Sequence, residues 1–302
     1  MEFEDVRTFV AVADTGSVSR AARELFVTQP AVTRRLRRLE ASLATALFDR
    51  RRRPLVLTAG GRAALERGRR VLSSVLELRA STVTDGVPFG EFRIGVAHAL
   101  TEVALTEPVD RVRQAFPKVA LRLRTGWSRN LLERVRGGAL DAAVILLPAG
   151  EALPAGVGGE RVGDERLVVV ASRDGRLPRV RGVADLADVT WILNPEGCGA
   201  RALLQRALQG ANLEMSVAIE TYNYELQLCL VARNRGLGLV PARILARSRF
   251  RDRLRTLRVR GLDFPLSTWT VRGQLTAGLD RVLPELNDEL VRRLAGSRRR
   301  VL

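Results

Sequence analysis

The 302-residue chain is poor in the residues that build disulfide frameworks and metal centres. It contains two cysteines, Cys198 and Cys229, and a single histidine, His98. Two cysteines do not make a disulfide framework, which favours a reducing compartment. One histidine can supply at most one imidazole ligand, so we expect no metal site and no cofactor.

Long apolar runs and a secretory signal are also missing. No stretch of about 18 apolar residues occurs, the length that a membrane-spanning helix needs. The chain starts MEFEDVRTF, without the basic and apolar regions of a signal peptide. The sequence therefore predicts a cytoplasmic protein without a membrane partner.

The sequence has no recognisable set of catalytic residues. It contains no Gly-x-Ser-x-Gly motif and no phosphate-binding glycine-rich loop. An enzyme built on an α/β scaffold with a basic N-terminal extension is the alternative to consider, and these absences argue against it. We therefore expect a protein that is not an enzyme.

Positive charge dominates the composition of the chain. The formal net charge is +17, and Lys118 is the only lysine among 50 basic residues. Such an excess favours a polyanionic partner, although arginine-rich codon usage in a GC-rich genome accounts for much of the number. The clustering is more informative, because residues 31–55 contain eight arginines against Glu40 and Asp49.

The first sixty residues show the pattern of a helix-turn-helix. Apolar spacing predicts a first helix over 4–13, ended by Gly16. Ser17 and Thr28 stand where the N-caps of a second and a third helix would be, and Pro30 suits a first turn. The small side chains of Ala21, Ala22 and Ala31 would let the two helices cross closely.

The third helix would bury Val32, Leu36 and Leu39 and expose a polar face. That face carries Thr28, Gln29, Thr33 and Arg34, and further along Arg37 and Arg38. Glutamine can pair with adenine and arginine with guanine through two hydrogen bonds, and arginines can also neutralise phosphates. An ordinary amphipathic helix with a solvated arginine face is the alternative interpretation.

Residues 47–58 (LFDRRRRPLVLT) predict a tight hairpin whose basic tip is Arg50, Arg51, Arg52 and Arg53. A long helix over 59–84 follows, and the composition of residues 85–90 suggests a hinge. From there the chain alternates strand-like and helix-like segments, which predicts α/β layers around a largely parallel sheet. Predicted strands lie at 92–96, 119–124, 142–147, 166–171, 191–193, 217–220, 254–259 and 267–272, and predicted helices at 101–116, 129–137, 199–210, 223–235, 241–248 and 277–295.

Turns after several strands predict a cleft at the carboxyl ends of the sheet. The residues of this candidate site are His98, Ala99, Leu100, Thr101, Trp127, Ser128, Leu146, Asn194, Cys198, Tyr222 and Asn223. Thr101 and Ser128 could cap helices, with or without a ligand nearby, and free helix N–H groups there favour a small carboxylate or a similar anion. Cys198 could have a lowered pKa at a helix N-terminus, or it could be a small buried residue.

The run GSVSRAARELFVTQPAVTRRLRRLEASLATALFDRRRRPLVLTAGGR, residues 16–62, resembles the N-terminal signature of the LysR-type transcriptional regulators. The resemblance implies an all-α winged helix-turn-helix at 1–58, a linker and dimerisation helix at 59–87, and an effector-binding domain at 88–302. It implies double-stranded promoter DNA as a partner, contacted by Ser17, Thr28, Gln29, Pro30, Thr33, Arg34, Arg37 and a wing at Arg50–Arg53. Homodimers or homotetramers and contact with RNA polymerase are implied as well.

Looser similarity continues in LLERVRGGALDAAVI (131–145), NPEG (194–197) and GLGLVP (236–241). It implies a C-terminal α/β domain of two lobes resembling periplasmic binding proteins, with a small-molecule effector in the cleft between them. Lobe one would take about 91–163 and 266–295, and lobe two about 164–265.

Two other functions remain as alternatives. Some members of the family sense peroxide through a cysteine near the position of Cys198 and a second cysteine about ten residues on. Here Ala207 and Leu208 stand at that distance, which argues against a thiol-redox-responsive regulator. A non-specific architectural DNA-binding protein would explain the charge but not a second domain with a cleft.

Overall fold

The computed structural model describes residues 1–49, 55–81, 88–175, 180–273, 275 and 279–298. The chain forms two compact units, one made mainly of residues 1–89 and one mainly of residues from 90 onward. Within the described ranges, no helix combines the length and the apolar character needed to cross a membrane.

The N-terminal unit is helical. Helix α1 (Phe3–Thr15), α2 (Val18–Glu24) and α3 (Gln29–Ser42) precede a short antiparallel pair, β1 (Phe48–Asp49) with β2 (Val56–Leu57), and helix α4 (Ala59–Ser81). The predicted arginine tip of the hairpin, residues 50–53, lies outside the described residues.

Local chemistry sets where these helices begin and end. Gly16 ends α1 with φ +64°, a conformation that favours glycine. The Ser17 hydroxyl accepts a hydrogen bond from the Arg20 N–H, and the Thr28 hydroxyl accepts one from the Ala31 N–H, each at 3.4 Å. Both N-caps are therefore where the sequence predicts them.

The core of the N-terminal unit joins α1, α2 and α3 to β1. It consists of Val6, Phe9, Val12, Ala21, Ala22, Val32, Leu36, Leu39, Leu47 and Phe48. Ala21 has no exposed surface and Ala22 has 4%. Small side chains at this position allow the close crossing of helices that the sequence predicts.

The C-terminal unit is α/β. Its elements are β3 (Gly90–Ala97), α5 (Thr101–Ala104), α6 (Glu107–Ala115), β4 (Val119–Gly126), α7 (Ser128–Arg136), β5 (Ala142–Pro148), β6 (Gly158–Ser172), β7 (Thr190–Leu193), α8 (Gly199–Gly210), β8 (Ser216–Glu220), α9 (Tyr224–Ala232), β9 (Leu237–Pro241), α10 (Ala242–Arg247), β10 (Leu254–Leu257), β11 (Pro265–Arg272) and α11 (Val282–Arg298). The sheet order over these residues is β4-β3-β5-β11-β6-β9-β7-β8, and β10 pairs with β6.

Two lobes share this sheet. In lobe one β3 runs parallel to β4 and β5, and in lobe two β7 runs parallel to β8 and β9. Strand β6 belongs to both lobes. Residues 158–166 of β6 pair with β11, and residues 167–172 pair with β9 and β10, always antiparallel. The sheet is therefore mixed, and the expectation of a largely parallel sheet was wrong.

Three boundaries differ from the sequence prediction for physical reasons. The helix predicted over 101–116 is interrupted, since α5 ends at Ala104 and Pro108 stands in the first turn of α6. Strand β6 begins at Gly158 rather than near 166, in the polar stretch GGERVGDE that carries no apolar alternation. Strand β9 was not predicted, because every one of its five residues is buried and it has no polar face.

Candidate functional site

Helix α3 presents a polar face to solvent at its N-terminal half. Thr28, Gln29, Pro30, Arg34 and Arg37 are exposed, and Thr33 is half-buried. Across the described part of the chain, no ion pair involves Arg34 or Arg37. This face has the mixture of hydrogen-bonding and cationic side chains that suits base edges and phosphates in a major groove.

Four arginines of α3 divide between two surroundings. Arg35 and Arg38 turn towards α1, where Arg38 binds Asp5 and Glu2 and Arg35 binds Glu4. The sequence placed Arg38 on the same outward face as Arg34. Arg38 is exposed as well, but the buried carboxylate of Asp5, 33 residues away, holds its guanidinium, which the sequence did not predict.

The two predicted hydroxyl contacts are engaged in helix capping. Ser17 is half-buried and Thr28 exposed, and each hydroxyl oxygen already accepts a backbone N–H. A hydroxyl in this position still has its own O–H available as a donor. The four arginines of the wing lie outside the described residues.

A second candidate site is a cavity of about 230 Å³ in the C-terminal unit. Both lobes line it: lobe one with the turns after β3 and β4 and the end of β5, and lobe two with the start of α8. Six residues of the sequence prediction are in its wall, namely His98, Ala99, Trp127, Ser128, Leu146 and Cys198.

Three aromatic rings connect the lobes beside this cavity. The Trp127 ring stacks on the Tyr222 ring with centroids 5.9 Å apart, and the His98 ring meets Trp127 edge-on at 4.7 Å. Gly197 makes room for the indole, since a Cβ there would lie 2.9 Å from Trp127 Cδ1. Tyr222 is thus a neighbour of the cavity wall rather than part of it.

Four other predicted residues are not in the wall of the cavity. Leu100 is buried in the core. Asn194 is buried and donates through Nδ2 to the Thr221 carbonyl oxygen at 2.7 Å. Asn223 caps α9 by accepting the Leu226 N–H at 3.0 Å. The Thr101 hydroxyl donates to the His98 carbonyl oxygen at 3.1 Å.

The predicted capping roles of Thr101 and Ser128 were wrong. Thr101 is the first residue of a four-residue helix and caps nothing with its side chain. The Ser128 hydroxyl accepts the Leu146 N–H at 3.0 Å, which ties the start of α7 to β5. Ser128 therefore fixes the wall of the cavity across two elements.

Two protein families match the parts of the chain that carry these two sites. Residues 3–62 match the bacterial regulatory helix-turn-helix protein of the lysR family, and residues 85–281 match the LysR substrate binding domain. The chain belongs to the LysR family. It is a DNA-binding transcriptional regulator of LysR type with an effector-binding domain.

Individual relatives agree with this assignment. The transcriptional regulator CzcR of Bacillus anthracis is 32% identical over 241 residues, which is 80% of each chain. A full-length OxyR variant from Pseudomonas aeruginosa has a TM-score of 0.73 at 19% identity, covering 96% of this chain and 98% of that one. CbnR complexed with its target DNA has a TM-score of 0.56 at 23% identity, covering 97% and 100%.

Within this LysR-type regulator, Cys198 is a buried thiol. Its side chain is 4% exposed and its Sγ lies 3.8 Å from Asn194 Oδ1. Burial raises the pKa of Cys198, and the N–H groups of Arg201 and Ala200 offset only part of that effect. Of the two alternatives for Cys198, the small buried residue agrees with the structure, and a pKa lowered by the start of α8 does not. Cys229 is also free, so no disulfide joins the pair.

Burial also controls two further groups of the wall. It lowers the pKa of His98, which favours the neutral imidazole. It raises the pKa of Tyr224, which keeps that phenol protonated. The other ionisable side chains that suit a charged ligand in the wall are Arg129, Glu151 and Arg206.

Sequence reasoning missed much of the wall of this cavity. The missed residues with side chains suited to ligand contact are Arg129, Leu132, Glu151, Leu167, Leu203, Arg206, Tyr224 and Leu266. Arg129 directly follows Ser128, and Arg206 lies further along the helix that begins after Cys198. Helical spacing from these two predicted residues could have indicated both arginines. Leu167 lies on β6, the strand shared by the lobes, and Leu266 lies on its neighbour β11, and no local signal marks either residue.

Proposed function

We propose that this LysR-type regulator reads promoter DNA with the outward face of α3. The observation that carries the proposal is that Gln29, Arg34 and Arg37 are exposed on a capped helix, and that Arg34 and Arg37 have no ion pair within the described residues. Gln29 and Arg34 are suited to base edges, with Thr33 beside them. Pro30 holds the first turn of the helix in shape.

Phosphate contacts would come from Arg37, from the hydroxyls of Ser17 and Thr28, and from the wing at residues 50–53. We propose that these arginines follow the DNA backbone or the minor groove next to the site of α3. Such contacts fix position and orientation on the duplex and give binding its dependence on salt.

We further propose that a small-molecule effector binds the cavity between the lobes. Aliphatic side chains from both lobes form most of the wall, which suits an apolar body. Arg129 and Arg206 come from opposite lobes and have no ion pair among the described residues. This arrangement supports a small carboxylate, with the carboxyl group directed to the arginines.

Regulation would follow from a difference in effector affinity between two arrangements of the lobes. An effector that binds one arrangement more tightly shifts the population towards it. We propose that paired subunits, joined through α4 as a dimer or tetramer, carry this shift to the spacing of their DNA-binding units and to RNA polymerase. We infer a cytoplasmic location, because a regulator of this type works on promoter DNA.

The thiol-redox alternative has less support than a ligand. The Cys198 thiol is buried with a raised pKa, whereas a reactive cysteine needs an accessible thiolate. An architectural DNA-binding protein would have no use for a cavity walled by two lobes. Footprinting separates these cases, because a specific regulator protects two half-sites and an architectural protein coats DNA evenly.

Arg34→Ala tests the DNA-binding proposal. On a duplex selected by the wild-type protein from a random pool, we expect the variant to lose about 1–3 kcal/mol of binding free energy. Binding to random duplexes should change much less, and fluorescence anisotropy measures both. An equal loss on both duplexes would make Arg34 a phosphate contact and contradict its role in base reading.

The effector proposal has its own test. A thermal-shift screen of small carboxylates against the full chain should identify acids that raise the Tm. The double variant Arg129→Gln, Arg206→Gln should remove that shift while leaving DNA binding without effector unchanged. A shift that persists in the double variant would contradict the assigned position of the carboxyl group.

A further inference from the structure

The acidic start of α1 holds two of the four arginines of α3. Arg38 donates from Nε and Nη2 to both carboxylate oxygens of Asp5 at 2.6–3.0 Å, and from Nη2 to Glu2 Oε2 at 2.7 Å. Arg35 donates from Nη1 to Glu4 Oε2 at 3.2 Å and to the Thr8 hydroxyl at 3.3 Å. We call this set of contacts the α1–α3 ladder.

Ion pairs, and not spacing alone, separate the ladder arginines from the outward ones. Residues three and four apart are neighbours on a helix, so Arg38 lies about 40° from Arg34 and about 60° from Arg35, and its contacts with Asp5 and Glu2 set it apart from Arg34. Each step of one residue turns the side chain by about 100°. A rotation of α3 by one residue would therefore exchange a free guanidinium for a held one.

Asp5 is the firmest part of the ladder. Its side chain has no exposed surface, and its Oδ2 also accepts the Glu2 N–H at 2.9 Å. Burial alone would raise the pKa of Asp5, but hydrogen bonds from Arg38 and Glu2 and the charge of Arg38 lower it below its usual range. An ionised carboxylate with two guanidinium donors is a charge-assisted, bidentate contact, which fixes direction as well as distance.

Cations that are free to reach phosphates increase binding to every DNA sequence alike. They add affinity for the wrong sites as much as for the right one, so they raise binding to random DNA, and the ratio of specific to random binding falls only when the fixed rotation of α3 is lost as well. Holding an arginine against a carboxylate removes it from this sequence-independent part of the binding energy.

We propose that Glu2, Glu4 and Asp5 are specificity-determining residues of the DNA-binding unit. They hold Arg35 and Arg38 away from DNA phosphates and fix the rotation of α3, so that of the four arginines of α3 only Arg34 and Arg37 meet the duplex. The proposal rests on α3 being the helix that reads DNA. It predicts that loss of a ladder carboxylate strengthens binding to random DNA.

Asp5→Asn in the full-length protein tests whether loss of a ladder carboxylate strengthens binding to random DNA. We expect severalfold tighter binding to a random duplex, and a plot of log affinity against log salt that is steeper by about one unit for the released guanidinium. The ratio of specific to random affinity should fall. Adding Arg38→Gln to Asp5→Asn should return the random-DNA affinity and the salt slope to wild-type values.

Two further variants keep the test decisive. Glu4→Gln removes a carboxylate that is 38% exposed and should release Arg35 with the same effect on random DNA, even where Asp5→Asn does not fold. Glu24→Gln is the matched control, because Glu24 is exposed on α2 and makes no ion pair in the described part of the chain. It removes one negative charge without releasing an arginine, and we expect only a slight rise in affinity.

Ladder variants that bind random DNA no more tightly than Glu24→Gln does would overturn the proposal. Arg34→Ala is measured beside them on the selected and the random duplex. If Arg34→Ala has no effect on specific binding, the assignment of α3 as the reading helix fails. If Arg34→Ala acts as expected and the ladder variants do not, only the role of the ladder fails.

Discussion

Helix α3 and the effector cavity offer ligands two different kinds of surface. The outward face of α3 places Arg34 and Arg37 in solvent without ion pairs among the described residues, and its other face packs on an apolar core. The cavity is walled by aliphatic and aromatic side chains, with Arg129 and Arg206 as its guanidinium groups. The first surface can bind through long-range attraction, and the second must bind mainly by removing apolar area from water.

Because of this difference, salt should weaken DNA binding by α3 more than it weakens effector binding in the cavity. Attraction to phosphates falls steeply with ionic strength, because each neutralised phosphate releases counterions. Burial of apolar area has no such dependence, and closely held ion pairs are screened much less than exposed charges. Each variant below alters one surface and leaves the other as its reference.

The largest effect is expected from the core beneath α3. Leu39 is 2% exposed, and Leu39→Ala should lower the free energy of unfolding of the N-terminal unit by about 2–5 kcal/mol, since it leaves a cavity. Calorimetry and DNA binding both measure the loss. Leu43→Ala is the control at a position that is 40% exposed, and a similar cost for both variants would contradict the assigned core.

A smaller effect is expected at the glycine under Trp127. Gly197 has φ +90°, and an added Cβ would lie 2.9 Å from the indole. Gly197→Ala should therefore lower stability by about 1–3 kcal/mol and weaken effector binding, without changing the salt dependence of DNA binding. Gly199→Ala is the matched control, because nothing lies within 4 Å of its added Cβ. Equal behaviour of the two variants would remove the role assigned to Gly197.

A smaller effect still is expected from the stacking of Tyr222 on Trp127, which connects the lobes. Tyr222→Ala removes the ring that stacks on Trp127 and should cost about 0.5–1.5 kcal/mol in thermal unfolding of the effector-binding domain. Tyr222→Phe keeps the ring and should retain most of the stability. A full loss in the phenylalanine variant would show that the hydroxyl group, and not the stack, holds the lobes.

The smallest effect concerns pH. Burial lowers the pKa of His98 below its usual value of 6.5, so the unfolded chain binds a proton at a higher pH than the folded chain does. Stability should fall as the pH decreases from about 6.5 through the folded pKa of His98. Urea unfolding at pH 7.5 and 5.5 should show a smaller drop for His98→Gln than for the wild type. An identical drop would mean that other groups carry the pH dependence.

The DNA-binding unit was largely predictable because its signals are local. Ser17, Thr28 and the alanines at the helix crossing lie within a few residues of the structures they specify. The exception is Arg38, whose orientation depends on Asp5 across 33 residues of sequence. Spacing along one helix shows which residues share a side, but not which side meets a carboxylate from another helix.

The effector cavity was less predictable because distant segments build it. Turns after strands located His98, Trp127 and Cys198, since ligands gather at the carboxyl ends of strands. Leu167 and Leu266 escaped prediction as wall residues, because β6 and β11 pair beside the place where β6 passes between the lobes, and no local pattern encodes that pairing. The position of Tyr222 beside the wall, and not in it, depends on its stacking with Trp127.

Strand β6 has a mechanical consequence for any signal in the C-terminal unit. One unbroken strand of 15 residues supplies hydrogen bonds to both lobes, and the exchange of partners falls between Arg166 and Leu167. Any change in the angle between the lobes must therefore bend or twist this strand where its partners change, and Leu167, which lines the cavity, stands at that place.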